Sequence, residues 1–230
     1  MSEHSLEIEL KYRFGDRHAF ERVLTWFTRE HQPGPVLQTN HFFDTPKHHL
    51  RQMGLGLRLR QEGDDYFLTA KGPAPQSVDS PRNTAAMILA EEEIRLTPSQ
   101  ANAILKTETS PLAVFNSQMQ RLKNISLIRQ MDEIHQKCPL IYIGHFKNYR
   151  KRIVREITIG GQDHPFTFEF DRTIFTESVV HYELELELSD TASIESVHAA
   201  LQTVFQECDA PWTVPKGKAS RFFSLLSQNS

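Results

Sequence analysis

Carboxylates recur two residues apart in this chain, at Glu7/Glu9, Glu91/Glu93, Glu169/Asp171 and Glu183/Glu185/Glu187. Guanidinium groups recur with the same spacing at Arg58/Arg60 and Arg150/Arg152, with Lys11 and Lys71 in segments of the same kind. In an extended strand such pairs share one face, about 7 Å apart. Like charges that close repel and need an answer from opposite charge or from solvent. Hard divalent cations take carboxylate oxygens. Guanidinium groups grip phosphate oxygens in pairs, and lysines hold them as point charges. Acids on one side and bases on the other therefore suit a metal-bound polyphosphate. Rival chemistries lack their residues: CxxC, HExxH and P-loop patterns are absent, and Gly54-x-Gly56 lacks the third glycine of a dinucleotide loop. His41, His48, His49 and His181 are read as surface or supporting residues, not metal ligands.

Period-two segments must position these groups. Leu6, Ile8, Leu10, Tyr12 and Phe14 alternate with Glu7, Glu9, Lys11 and Arg13. Similar alternation runs through 55–60, 66–71, 88–96, 145–158, 166–171 and 181–188, and a mixed segment at 36–44 makes eight candidate strands. Helical stripes stand between them. Asp16 caps one with Phe20, Val23, Leu24 and Phe27 on a face. Thr97-Pro98-Ser99-Gln100 is a capping box. Another helix is expected through Phe115, Met119 and Leu122, another after Asp190 or Ser193, and a short one over 217–227. The Pro/Ser-rich stretch 72–86 reads as a loop. No repeating βα unit occurs, so an α+β fold with an antiparallel sheet is expected. The chain is read as a single domain, 1–230, with a helical insertion at about 97–139.

Hydrophobic residues make up 39% and charged residues 24% of the 230, and the net charge is −3. No global basic field argues for nucleic acid. No apolar run is long enough to cross a bilayer. Two cysteines, Cys138 and Cys208, and a charged start suit a cytoplasmic protein. The alternation itself has two readings. Apolar faces can form a core while charged faces meet water, as in half-solvated sheets. Alternatively, amphipathic helices cover the apolar faces from outside, and a closed eight-stranded barrel turns its charges inward. Clustered like charges weaken the first without removing it, and the pattern alone leaves both readings standing. A basic RNA-binding surface at Lys147–Arg155 is a further reading, which the acidic strands oppose.

The segments follow a known order. Glu7-Ile8-Glu9-Leu10-Lys11 is followed by His41-Phe42-Phe43-Asp44-Thr45-Pro46, Gly56-Leu57-Arg58-Leu59-Arg60 and Thr69-Ala70-Lys71-Gly72. Glu91 with Glu93, Tyr149-Arg150-Lys151-Arg152, Phe170-Asp171, Glu183-Leu184-Glu185-Leu186-Glu187 and Lys218 complete the series. Together they resemble the triphosphate tunnel metalloenzymes, the CYTH superfamily, over nearly the whole chain. The resemblance implies a closed eight-stranded antiparallel β-barrel, helices outside, holding a small-molecule triphosphate with Mg²⁺ or Mn²⁺. It implies metal-binding roles for Glu7, Glu9, Asp171, Glu183 and Glu185, with Glu169 and Glu187 on the same faces. It implies phosphate-binding roles for Lys11, Arg58, Arg60, Lys71, Arg150, Arg152 and Lys218, with Lys216 competing for the last place. Glu91 orients a cation, and Lys71 is the proton-transfer candidate. Glu92 departs from the pattern by making three consecutive acids, which leaves Glu93 inside or out. Hydrolysis of inorganic tripolyphosphate is expected first, of nucleoside or thiamine triphosphate next. Adenylate cyclase chemistry and non-catalytic polyphosphate binding are the alternatives. Neither nucleic acid nor membrane is expected as a partner, and a monomer or homodimer is expected.

Overall fold

A computed structural model of the chain describes residues 6–28, 34–74, 85–159, 161–191 and 193–228. Five strands open the fold: β1 (Leu6–Phe14), β2 (Val36–Asp44), β3 (Gly56–Glu62), β4 (Asp65–Pro73) and β5 (Ala86–Leu96). Helix α1 (Arg17–Phe27) follows β1 and α2 (His49–Gln52) follows β2. Three helices separate β5 from β6 (Ile141–Ile159): α3 (Pro98–Leu105), α4 (Pro111–Asn116) and α5 (Ile125–Lys137). Then come β7 (Gln162–Ile174), β8 (Val180–Leu188), α6 (Ile194–Glu207), β9 (Trp212–Thr213) and α7 (Lys218–Gln228). Residues 75–84 of the Pro/Ser-rich stretch lie outside the described residues.

The strands run β5-β4-β3-β2-β6-β7-β8-β1, and β5 pairs back to β1, closing an eight-stranded antiparallel barrel. The short β9 lies along the far half of β1, opposite Arg13 and Phe14. The second reading of the alternation holds. Leu10, Tyr12 and Phe14 face outward and are buried against Phe20, Val23 and Phe27 of α1 and Val197, Leu201 and Phe205 of α6. Leu57, Leu59, Leu68 and Ala70 face outward beneath Ile104, Phe115, Ile128 and Met131 of α3 to α5. Each such large side chain contributes about 1.5–3 kcal/mol on burial, so the helical layers make the charged interior affordable. Gly72 is needed for this layer. A Cβ there would stand 2.6 Å from Leu127 Cδ1 and 3.0 Å from Leu55 Cδ2.

Local signals hold at several helix starts. Asp16 accepts the Ala19 N–H at 2.8 Å, and the Thr97–Gln100 capping box forms. The helix expected through Phe115, Met119 and Leu122 does not run through. It stops at Asn116, a 3-10 turn covers Met119–Arg121, and the longer helix is α5. Glu92 explains why α5 starts where it does. Its outward carboxylate is buried and accepts the Lys123 and Asn124 N–H groups, both at 2.9 Å. Those are orphan donors at a helix start. Glu92→Ala should therefore cost about 2 kcal/mol and lower the melting temperature by about 4–8 °C. A melt within about 1 °C of wild type would refute that role.

The third apolar group lies inside one end of the barrel. Phe42 and Phe146 share the inward face of their strands, and Phe222 and Phe223 of α7 pack on them. Gly144, at φ 150°, lets the bulged β6 pass; a Cβ there would stand 3.1 Å from the Phe222 ring. Helix α7 thus sits across that end. Among the described residues no helix is long and apolar enough to cross a membrane.

Candidate active site

The inward faces enclose a cavity of about 560 Å³. All the sequence-predicted site residues line it except Asp171 and Glu183, which are fully buried beneath the lining. Lys218, not Lys216, reaches it. The strand register sets the groupings. Glu9 stands opposite Glu187, Lys11 opposite Glu185 and Arg13 opposite Glu183 across β1 and β8. Glu169 pairs with Glu185 across β7 and β8, and Arg150 with Asp171 across β6 and β7.

Lys71 lies between two carboxylates, Glu7 at 2.5 Å and Glu91 at 2.6 Å. It is held by acids and not grouped with the arginines. Burial works to raise Glu7, but the charges of Lys71 and Lys11 bring it down to about 2. Burial, opposed by Lys71 and reinforced by the Glu7 charge, pushes Glu91 up to about 7. The two carboxylates around this one ammonium thus have opposed proton affinities.

Glu9 contacts Lys11 at 2.7 Å, and Lys11 reaches Glu185 at 3.2 Å. Burial first, then the charges of Glu185 and Glu7, pushes Glu9 up to about 8. Glu187 is raised by burial and by Glu7 and Glu169. Arg150 contacts Glu169, Asp171 (2.6 Å) and Glu185 (2.8 Å). Lys218 contacts Glu185 and, at 2.7 Å, Asp171. Burial opposes these charges, yet Arg150 and Lys218 hold Asp171 low, and Lys11, Lys218 and Arg150 hold Glu185 well below the carboxylate range. Glu183 accepts Arg221 Nη2 on both oxygens at 2.6 Å.

The opposite wall is basic. Thr69 donates to Glu93 at 2.7 Å, Arg58 donates to Thr69 at 3.3 Å, and Arg60 donates to Glu93 at 3.2 Å while stacking on Phe67 at 4.9 Å. Glu93 therefore faces in, and Glu92 faces out. The Nε groups of Arg58 and Arg60 have no hydrogen-bond partner among the described residues. Burial and the Arg58 charge lower Arg60. Both Nε groups are buried, and Arg58 and Arg60 stand as two crowded guanidiniums in the cavity lining.

Sequence reasoning missed Glu62, Gln38, Asn148 and Arg221. Glu62 accepts Arg152 at 2.6 Å and Gln38 at 2.8 Å, and Arg152 also meets Glu169 at 3.0 Å. Asn148 donates to Asp171 at 2.8 Å. Strand parity with Arg60 and Arg150 marked Glu62 and Asn148, Gln38 lies on β2 without such a neighbour, and Arg221 lies one helical turn after Lys218. Burial works against Glu62, yet the Arg152 and Gln38 hydrogen bonds bring it to about 2, below the ordinary 4.5. A lowered folded-state value stabilises above about pH 4.5, and the contribution is lost as pH falls towards 2. Glu62→Gln should flatten the acid limb of stability over that range. Melts at stepped pH check this, and an unchanged limb would assign the loss to other carboxylates.

Oxygen donors of this kind suit a hard divalent cation. The fit rests on crowding: Glu9 and Glu187 stand opposite each other and both are raised, beside a Glu185 that Lys11, Lys218 and Arg150 keep low. Among the described residues no three His, Cys, Asp or Glu side chains converge as a finished metal cage. Their oxygens are turned onto Lys11, Lys71, Arg150 and Lys218.

Residues 5–209 match the family model of the CYTH domain. No curated protein matches the chain. Among solved structures, HpAC1 of Hippeastrum, a protein with dominant triphosphatase activity, is similar at TM-score 0.70 and 21% identity, over 95% of each chain. A candidate adenylate cyclase of Bacillus halodurans gives 0.60 and 19%, over 97% of this chain and all of the other. Another from Vibrio parahaemolyticus gives 0.52 and 18%, over 96% and 99%. At such identities the likeness is one of fold.

Proposed function

The chain belongs to the CYTH family, and from that premise we propose that it hydrolyses a triphosphate with the help of Mg²⁺ or Mn²⁺, inorganic tripolyphosphate first. One observation carries the proposal: a cavity inside the closed barrel whose cations on β3, β4 and β6 face carboxylates on β1, β7 and β8. Phe42, Phe146 and Phe223 pack together and line its α7 end. The dominant triphosphatase activity of HpAC1 supports hydrolysis over cyclisation.

In this reading Arg58, Arg60, Arg150 and Arg152 hold phosphate oxygens through paired N–H groups, and Lys11, Lys71 and Lys218 add point charges. Aligned cations stabilise charge as it moves to the leaving phosphate. Lys71 handles the proton between Glu7 and Glu91. A divalent cation held by Glu7, Glu9, Glu185 and Glu187, with Glu169 beside them, would neutralise phosphate charge and lower the pKa of a bound water. Asp171 and Glu183 act from beneath, as positioning residues for Arg150, Lys218 and Arg221. The helices between β5 and β6 are an insertion into a single domain.

The test is an assay with tripolyphosphate, ATP and thiamine triphosphate, each with Mg²⁺ or Mn²⁺, reading phosphate, pyrophosphate and cyclic AMP. Phosphate release from tripolyphosphate is expected. Cyclic AMP and pyrophosphate from ATP would replace hydrolase by cyclase, and no turnover of any would end the enzymatic reading.

A further inference from the structure

The basic stretch Lys147–Arg155 divides in two in the folded chain. Arg150 and Arg152 line the cavity. Lys147, Tyr149 and Lys151, of opposite parity, lie on the outer wall. That wall is open around Tyr149: Leu37 beside it is 40% exposed, and Lys147 and Arg172 are exposed. Tyr149 stands between Leu37 and Arg172 in register, with the Arg172 guanidinium over its ring at 5.6 Å. The outward positions of β2, of β6 from His145 to Arg155 and of β7 hold no Asp or Glu. Among the described residues no carboxylate pairs with Lys147, Lys151 or Arg172.

The net charge of −3 does not describe this face. The strand carboxylates that make up much of it are turned into the barrel, so the acidic strands no longer oppose a polyanion outside. Alternate strand positions are about 7 Å apart and Lys147 and Lys151 about 13 Å. Lysine, the Arg172–Tyr149 stack and lysine thus form a row of cations broken by an aromatic ring. Single-stranded nucleic acids are bound by that combination, phosphates on cations and a base on the ring. A bare polyphosphate would leave the ring unused, and a second copy of this face would set lysines against lysines.

We propose that the exposed outer patch around Tyr149, where β2, β6 and β7 meet, binds a single-stranded nucleic acid, with Lys147, Lys151 and Arg172 on phosphates and Tyr149 against a base.

The probe is a fluorescent RNA of about 12 nucleotides, followed by anisotropy on the full chain across a salt series. Three phosphate contacts predict a slope of log affinity on log salt of about −2. K147E/K151E should weaken binding at least about tenfold, and Tyr149→Ala about tenfold, with melts unchanged. Saturating tripolyphosphate at matched ionic strength should not displace the RNA. Four results would overturn the proposal. They are no salt-dependent binding, displacement by tripolyphosphate, heparin binding as tight as RNA with Tyr149→Ala silent, or a dimer that shields Lys147 and Lys151 from acetylation.

Discussion

Arg150→Ala should lose about 3–5 kcal/mol at neutral pH, the usual cost of stranding a buried charge and a large part of a domain's stability. Arg150 is largely buried and touches three carboxylates on two strands, Glu169, Asp171 and Glu185. Lys218 alone would then answer Asp171, which has no exposure at all. The pH dependence identifies the cause. In the wild type Asp171 and Glu185 are held low. Their contribution is present above the ordinary carboxylate range and is lost on acidification. In the variant Asp171 loses the largest of its cationic partners and its folded value rises, while Lys11 and Lys218 still hold Glu185. The variant should then lose less stability than wild type as pH falls from about 7 to about 4. Urea midpoints at those pH values decide it. Parallel declines would mean that Arg150 acts through packing.

The second large effect is on turnover. Arg60→Ala and Glu9→Gln should each reduce it about 10²–10³-fold with the fold intact. Arg60 lines the cavity beside Arg58, and in the proposed reading its loss removes positive charge from the phosphate subsite. Glu9→Gln has a further signature. Glu9 is pressed against Glu185 and Glu187, so removing its charge should leave the metal-free melt equal to wild type or higher. Mg²⁺ should raise the wild-type melt and barely move the variant. Wild-type rates in either variant would mean that these inward charges are not where the reaction occurs.

Parity was legible along each strand, and with it which side chains share a face. Which face is inside was not. Glu183-Leu-Glu-Leu-Glu reads alike on a solvated strand and in a tunnel. The answer lies in distant stripes, Phe20/Val23/Phe27 on α1 and Val197/Leu201/Phe205 on α6, which need an apolar wall outside the barrel. Glu62 was visible as an inward position but not as a partner of Arg152, because that pairing spans β2 and depends on register. Helix α5 was hidden for a similar reason. Its cap comes from Glu92, far back in the chain, so Asn124 gives no local capping signal. The three acids at 91–93 could not be divided between faces until β4 and β5 were paired without a bulge.

Helix α7, seated across one end of the barrel, has a kinetic consequence. Phe222 and Phe223, packed on Phe42 and Phe146, narrow that end. If the chain hydrolyses tripolyphosphate as proposed, orthophosphate and pyrophosphate leave by the route the next substrate takes, and each should then compete with substrate for the same passage.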